Sequence, residues 1–135
     1  MPFRVEVLNE TSGGARLTPE RATELCRRAF VERGLDPERM GELSVALVEP
    51  EVIHDLNLKF RNKDAPTDVL SFEVDGPYGE MVGEIVICPG CAEMDLEELV
   101  VHGALHLSGM DHGENFEASE MARVQKRVME AVRGR

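Results

Sequence analysis

Apolar residues recur along the chain first with a period of two and then with a period near four, and each change of period marks an element. Phe3, Val5 and Val7 alternate with polar neighbours, which predicts a strand over Arg4 to Leu8 that Gly13 and Gly14 interrupt. Ala22, Leu25, Cys26, Ala29 and Phe30 then share one face of a helix. Thr18 stands where its N-cap belongs, Pro19 at its first position and Gly34 where it should stop. Leu43, Val45 and Leu47 alternate as a second strand. Pro50 opens a short helix to about Lys59, with Val52, Ile53, Leu56 and Phe60 at helical spacing, and Asn62 to Thr67 follow as a polar loop. Two more strands, Asp68 to Val74 and Glu84 to Cys88, are joined through Gly76 and Pro77.

The last third reads as helical. One helix starts around Glu93, where acidic residues suit the helix dipole, and ends at Ser108 and Gly109. Its core face is Leu96, Leu99, Val100, Gly103 and Leu107, with His102 and His106 on an adjoining face. A final helix runs from Asn115 to about Val132 around a stripe of Met121, Val124, Val128 and Val132. This order, with its helices gathered at one end, predicts an α+β fold on a small mixed sheet. With 135 residues of which 42% are apolar, residues 1–135 are expected to make one domain, because halves of that length would each be marginal.

Neither a leader nor a membrane span is visible, since no basic stretch precedes an apolar run and segments such as Ile85 to Cys88 are far too short to cross a bilayer. Three cysteines make an odd number for a disulfide framework, so reduced thiols in a cytoplasmic protein are expected. Cys88-Pro-Gly-Cys91 is a single C-x-x-C and reads as loop thiols. A net charge of -11 opposes general nucleic-acid binding. The cations are nonetheless gathered: none lies between Glu73 and Glu120, whereas Lys59, Arg61 and Lys63 form one cluster and Arg123, Lys126, Arg127, Arg133 and Arg135 another. Any phosphate contact would be local to one of them.

The candidate chemistry lies in His102-Gly-Ala-Leu-His106-Leu-Ser-Gly109-Met-Asp-His112. Histidines at i and i+4 on a helix can reach one ion, and a third arrives after a turn for which Gly109 supplies a positive φ. Three of the chain's four histidines take part. Three nitrogen ligands leave one tetrahedral position open, as in catalytic zinc sites, unless Asp111, Glu114 or the Cys88 and Cys91 pair supplies a fourth. The imidazoles would accept zinc, nickel or copper. The spacing is also that of the metzincin proteases, but those need a glutamate after the first histidine as general base, and Gly103 occupies that place.

The chain resembles the YbeY-type endoribonucleases, factors of 16S ribosomal RNA maturation and ribosome quality control. The resemblance rests on HGALHLSGMDH at 102–112, RNKDAPTDVLSF from Arg61 to Phe72, Leu56-Asn57, GEIVIC from Gly83 to Cys88, and Met121 and Gln125. It implies a mixed four-stranded sheet, one zinc ion on His102, His106 and His112, and catalysis involving His102 and Arg61. Met110 and Glu84 replace the family's usual tyrosine and aspartate, and the segment between Cys88 and Leu99 is short. With that resemblance, Arg61 reads as a bidentate phosphate ligand flanked by Lys59 and Lys63. The implied partners are ribosomal RNA and small-subunit particles, with a ribosomal or assembly protein supplying the binding energy that so acidic a chain lacks. The alternative is a non-catalytic assembly factor whose metal is structural.

Overall fold

The computed structural model describes residues 3–113 and 115–134. Strand β1, Val5–Asn9, leads into helix α1, Pro19–Glu32, and the chain returns as β2, Leu43–Leu47, parallel to β1. Helix α2, Pro50–Arg61, precedes an antiparallel hairpin of β3, Val69–Asp75, and β4, Met81–Ile87. The chain then forms α3, Leu96–Leu107, and α4, Glu120–Arg133. The sheet order is β1-β2-β4-β3, with β4 parallel to β2. The sheet is therefore mixed and four-stranded, as the α+β reading predicts.

Alternation along the strands divides the core into two layers. Val5, Leu43, Val45, Leu47, Ile85 and Ile87 face α1, α3 and α4, while Ala46, Val48, Leu70, Val86 and Cys88 face α2. Helix α1 presents the expected Ala22, Leu25, Cys26, Ala29 and Phe30, and Thr18 caps it by accepting from the Arg21 N–H. Helix α2 differs from expectation. It lies at the margin of the sheet and buries only Ile53 and Asn57, leaving Val52 43% and Phe60 61% exposed.

Several element ends also move, each for a local reason. Helix α3 begins at Leu96 rather than near Glu93, because Asp95 accepts from the Glu98 N–H and Glu98 reaches back to the Asp95 N–H in a capping box. Helix α4 begins at Glu120 rather than Asn115. Ser119 is its cap, after a 3₁₀ turn at Phe116–Ala118. Helix α2 continues to Arg61, where Asn62 at φ 57 ends it, so Arg61 is the last helical residue and not part of the loop. Strand β4 starts at Met81, and its continuous pairing with β3 extends the strand by three residues beyond the expected Glu84.

Helix α3 is buried on nearly every side, from Leu99 through Leu105, because it lies between the sheet and the pair α1 and α4. An ion-pair network holds its start: Arg21 of α1 binds Glu97 at 2.6 Å, and Arg133 of α4 binds Asp95 at 2.9 Å. This consumes part of the C-terminal basic cluster, and Arg127 pairs with Glu32 as well. Arg135 lies outside the described residues.

Candidate metal centre

Helix α3 ends in a Schellman turn that builds half of the site. The Met110 N–H donates to Leu105 O at 3.1 Å and the Gly109 N–H to His106 O at 3.0 Å, with Gly109 at φ 102. The reversal brings His112 back over the helix. Its Nε2 lies 3.2 Å from Nε2 of His102, which is also 3.2 Å from Nε2 of His106. All three nitrogens fall within 4.8 Å of one another. Ligands about 2.0–2.1 Å from a tetrahedral zinc ion stand about 3.3 Å apart, so two of the three spacings already match that geometry.

The opposite ring nitrogens decide what the cluster can hold. Nδ1 of His102 donates to Gln125 Oε1 at 3.0 Å, Nδ1 of His106 to Met110 O at 3.0 Å, and Nδ1 of His112 to Gly113 O at 2.7 Å. Carbonyl oxygens only accept, so each ring carries its proton on Nδ1, and each neutral Nε2 presents a lone pair. Three lone pairs converge with no proton between them. A cation satisfies that arrangement, and neutral nitrogen donors suit a divalent transition ion. Burial, followed by the neighbouring His106, pushes His102 down to about 4 against its hydrogen bond to Gln125. Burial also lowers His106, with the Met110 carbonyl opposing. Both rings are thus held in the neutral form that metal binding requires.

The proposed fourth ligands separate clearly. The Asp111 carboxylate lies 3.9 Å from Nδ1 of His106, on the outer side of that ring, and accepts from the His112 N–H at 2.8 Å. That backbone hydrogen bond holds Asp111 below the usual carboxylate range. Cys88 and Cys91 belong to the α2 layer, across the sheet from the histidines. Glu114 lies outside the described residues. Among the described residues, the cluster that could hold an ion is His102, His106 and His112.

Gly103 faces the sheet and not the histidines. A Cβ there would stand 2.5 Å from Cγ2 of the fully buried Ile85. No carboxylate stands at this position to serve as the general base that a peptidase of this spacing needs. Gly103→Ala is expected to destabilise the fold by about 1–3 kcal/mol through overpacking, measurable as a lower denaturation midpoint; an unchanged midpoint would mean that α3 can shift freely.

Arg61 reaches the same place from the other side of the molecule. As the last residue of α2, it lines a cleft of about 270 Å³ together with Ser71, Glu73, His106, Gly109 and Asp111. Among the described residues its side chain makes no ion pair and no hydrogen bond. Asn57, buried one turn earlier, donates to Ala65 O at 2.8 Å and pins the loop that follows. Lys59 and Lys63 are exposed and do not line the cleft; Lys59 rests 5.9 Å from the Phe60 ring. His54, unremarkable in sequence, contacts Asp64 at 2.7 Å.

The matching family model is described as endoribonuclease YbeY and covers residues 9–133. The chain belongs to the YbeY endoribonuclease family. A solved structure from Thermotoga maritima is similar as well, with 30% identity over 96% of this chain and 89% of that one, at a TM-score of 0.54. Membership in the YbeY family supports ribonuclease chemistry and gives no support to proteolysis. No helix among the described residues is long and apolar enough to cross a membrane.

Three site residues are clearer in three dimensions than in one. Gln125 orients His102 and donates in turn to Met94 Sδ at 3.6 Å; its sequence signal is a polar residue within the apolar stripe of α4. Phe116 packs edge-on against the His102 and His112 rings at 4.8 and 4.9 Å, and no periodic pattern marks it. Ser71, a strand residue by sequence, donates to Gly103 O at 2.9 Å while lining the cleft. Gln125→Leu is expected to weaken metal affinity by about 10–100-fold, since His102 loses the acceptor that fixes its tautomer. Competition with a calibrated chelator measures this directly, and an unchanged affinity would remove Gln125 from the site.

Proposed function

We propose that this YbeY-family protein is a zinc-dependent, single-strand-specific endoribonuclease acting in 16S ribosomal RNA maturation and ribosome quality control in the cytoplasm. One observation carries the reading: Arg61 lines one open cleft with His106, whose Nε2 belongs to the converging set of three imidazole nitrogens. His102, His106 and His112 would hold one zinc ion, or another divalent transition ion, in a chain organised as one domain. A bound ion of this kind supplies Lewis acidity at a phosphodiester.

The chain's own residues do the rest. Arg61 offers paired N–H donors to the non-bridging oxygens and stabilises the charge that accumulates on them. Lys59 and Lys63, outside the cleft, would guide the neighbouring phosphates. Gln125, Met110 O and Gly113 O hold the three rings in one tautomer, so the donor set needs no rearrangement. His102 contributes to catalysis as a ligand, offering Nε2 to the ion while its Nδ1 proton is committed to Gln125.

The cleft also holds Glu73 and Asp111, which repel a polyanion, and the net charge of -11 adds to this. These carboxylates favour a second reading, an assembly factor whose metal is only structural. One experiment separates the two. Purified protein given single-stranded RNA should cut it internally, stop after metal removal and resume when Zn2+ is restored; cleavage that persists in metal-stripped protein would overturn the first reading. For the same electrostatic reason, a ribosomal or assembly protein should supply most of the affinity for small-subunit particles. Binding should then fall only slowly with added salt, because few counterions are released. A steep salt slope would argue that RNA alone is the partner.

A further inference from the structure

Across the sheet from the histidines, β4 runs into Cys88-Pro89-Gly90-Cys91, which the family chemistry leaves unused. The Cys91 N–H donates to Cys88 O at 3.1 Å and closes a tight turn. Pro89 fixes φ at the first position inside it. Such a turn holds its first and fourth Cα atoms within about 7 Å, close to the roughly 4.4–6.8 Å that disulfides span. The side chains converge accordingly. Cys88 Sγ–H donates to Cys91 Sγ at 2.9 Å, and a disulfide bond is only about 0.9 Å shorter. Cys88 is fully buried against Ala46, Val48, Ile53, Leu70 and Val86, whereas Cys91 lies half-buried at the edge of that layer. Neither thiol takes part in the histidine cluster.

We infer that Cys88 and Cys91 form a reversible thiol–disulfide exchange site that takes small disulfides of the oxidised-glutathione class. The half-buried Cys91 is the attacking group. Its thiolate, formed by loss of a proton to water, attacks one sulfur of the small disulfide; that S–S bond breaks, the first glutathione leaves as thiolate and takes up a proton. Cys88 then loses its proton and attacks the Cys91 sulfur, which breaks the mixed disulfide and releases the second glutathione as thiol. Both cysteines are oxidised, one disulfide is reduced to two thiols, and no other reactant is needed. Burial, then the hydrogen bond to Cys91, pushes Cys88 up to about 11, which fits it for the second step and not the first. Cys26 is an internal reference: it is fully buried in the other layer, and burial pushes it up to about 12.

The test uses the full chain loaded with Zn2+ and equilibrated against stepped ratios of reduced and oxidised glutathione. Samples are quenched with acid, alkylated under denaturing conditions and mapped by peptide mass spectrometry. Alkylation should disappear from Cys88 and Cys91 together, with an intramolecular bond between them, while Cys26 stays alkylatable. Reductant should restore both. Cys91→Ser should leave Cys88 unreacted, and Cys88→Ala should trap glutathione on Cys91. The inference is overturned if both thiols stay alkylatable in strongly oxidising mixtures, or if the unmodified sequence accumulates the mixed disulfide without closing the ring. Zinc content, followed in the same samples, should stay constant because the pair lies on the other face of the sheet; zinc lost in step with oxidation would show the thiols to be part of the metal site and would overturn the assignment as well.

Discussion

Arg61→Ala is expected to slow single-stranded RNA cleavage by about 10²–10³-fold, the usual loss when one donor to developing charge is removed. Metal content should be unchanged, because Arg61 contacts none of the three imidazoles by hydrogen bond. Stability should change by no more than about 0.5 kcal/mol, since the side chain is exposed at the end of α2 and makes no ion pair among the described residues. Arg61→Lys should recover only part of the rate: an ammonium is a point charge and cannot reproduce the paired donors. The measurements are initial cleavage rates, zinc per chain and melting temperature on the same preparations. Full activity in Arg61→Ala, with contaminating ribonuclease excluded, would remove Arg61 from the chemistry.

His106→Ala and His112→Ala should each yield protein with little or no bound metal at micromolar free zinc. Removing one of three nitrogen donors leaves two, too few to hold an ion against water. The variants differ in their effect on the fold. His106 Nδ1 ties α3 to the Met110 carbonyl, so its loss loosens the Schellman turn, whereas His112 Nδ1 bonds to the adjacent Gly113 O. His102→Ala should lose both metal and cleavage, and should also be the least stable of the three, because it leaves Gln125 buried without its partner. Elemental analysis decides the matter; one zinc per chain retained in both His106→Ala and His112→Ala would dismiss the centre.

Much of the fold was legible because it rests on burial patterns that repeat. The α1 stripe reports one-sided burial directly, and the alternation of Leu43, Val45 and Leu47 marks the strand face turned toward α1, α3 and α4. Where burial is unusual, the pattern misleads. Helix α2 carries Val52 and Phe60 at helical spacing yet leaves both exposed, because a helix at the edge of a sheet has too little surface to cover. Helix α3 is buried almost all round, so its apolar stripe could not show that His102 is inside. Helix starts lie a few residues later than the pattern predicts where caps decide: Asp95 wins over Glu93, and Ser119 over Asn115, because their side chains satisfy backbone N–H groups.

The site divides in the same way. The spacing of His102, His106 and His112 announces their convergence, since helix geometry and a turn glycine suffice to produce it. Arg61 joins them through the packing of α2 and β3, contacts between residues distant in sequence, and only the family resemblance pointed there. The Nδ1 acceptors were the least visible part. Two are backbone carbonyls, available at any residue, and the third is a glutamine in α4 whose register against α3 is set by tertiary packing.

The turn at Ser108 to Gly113 has a kinetic consequence. An ion in this centre would be gripped from below by two rings fixed on a buried helix and from above by one ring on a short irregular segment. Its way out is through that upper jaw: a brief opening of the turn frees His112 without disturbing α3. Metal exchange should therefore be timed by the local motion of these few residues, and could be fast even in a protein whose global unfolding is slow.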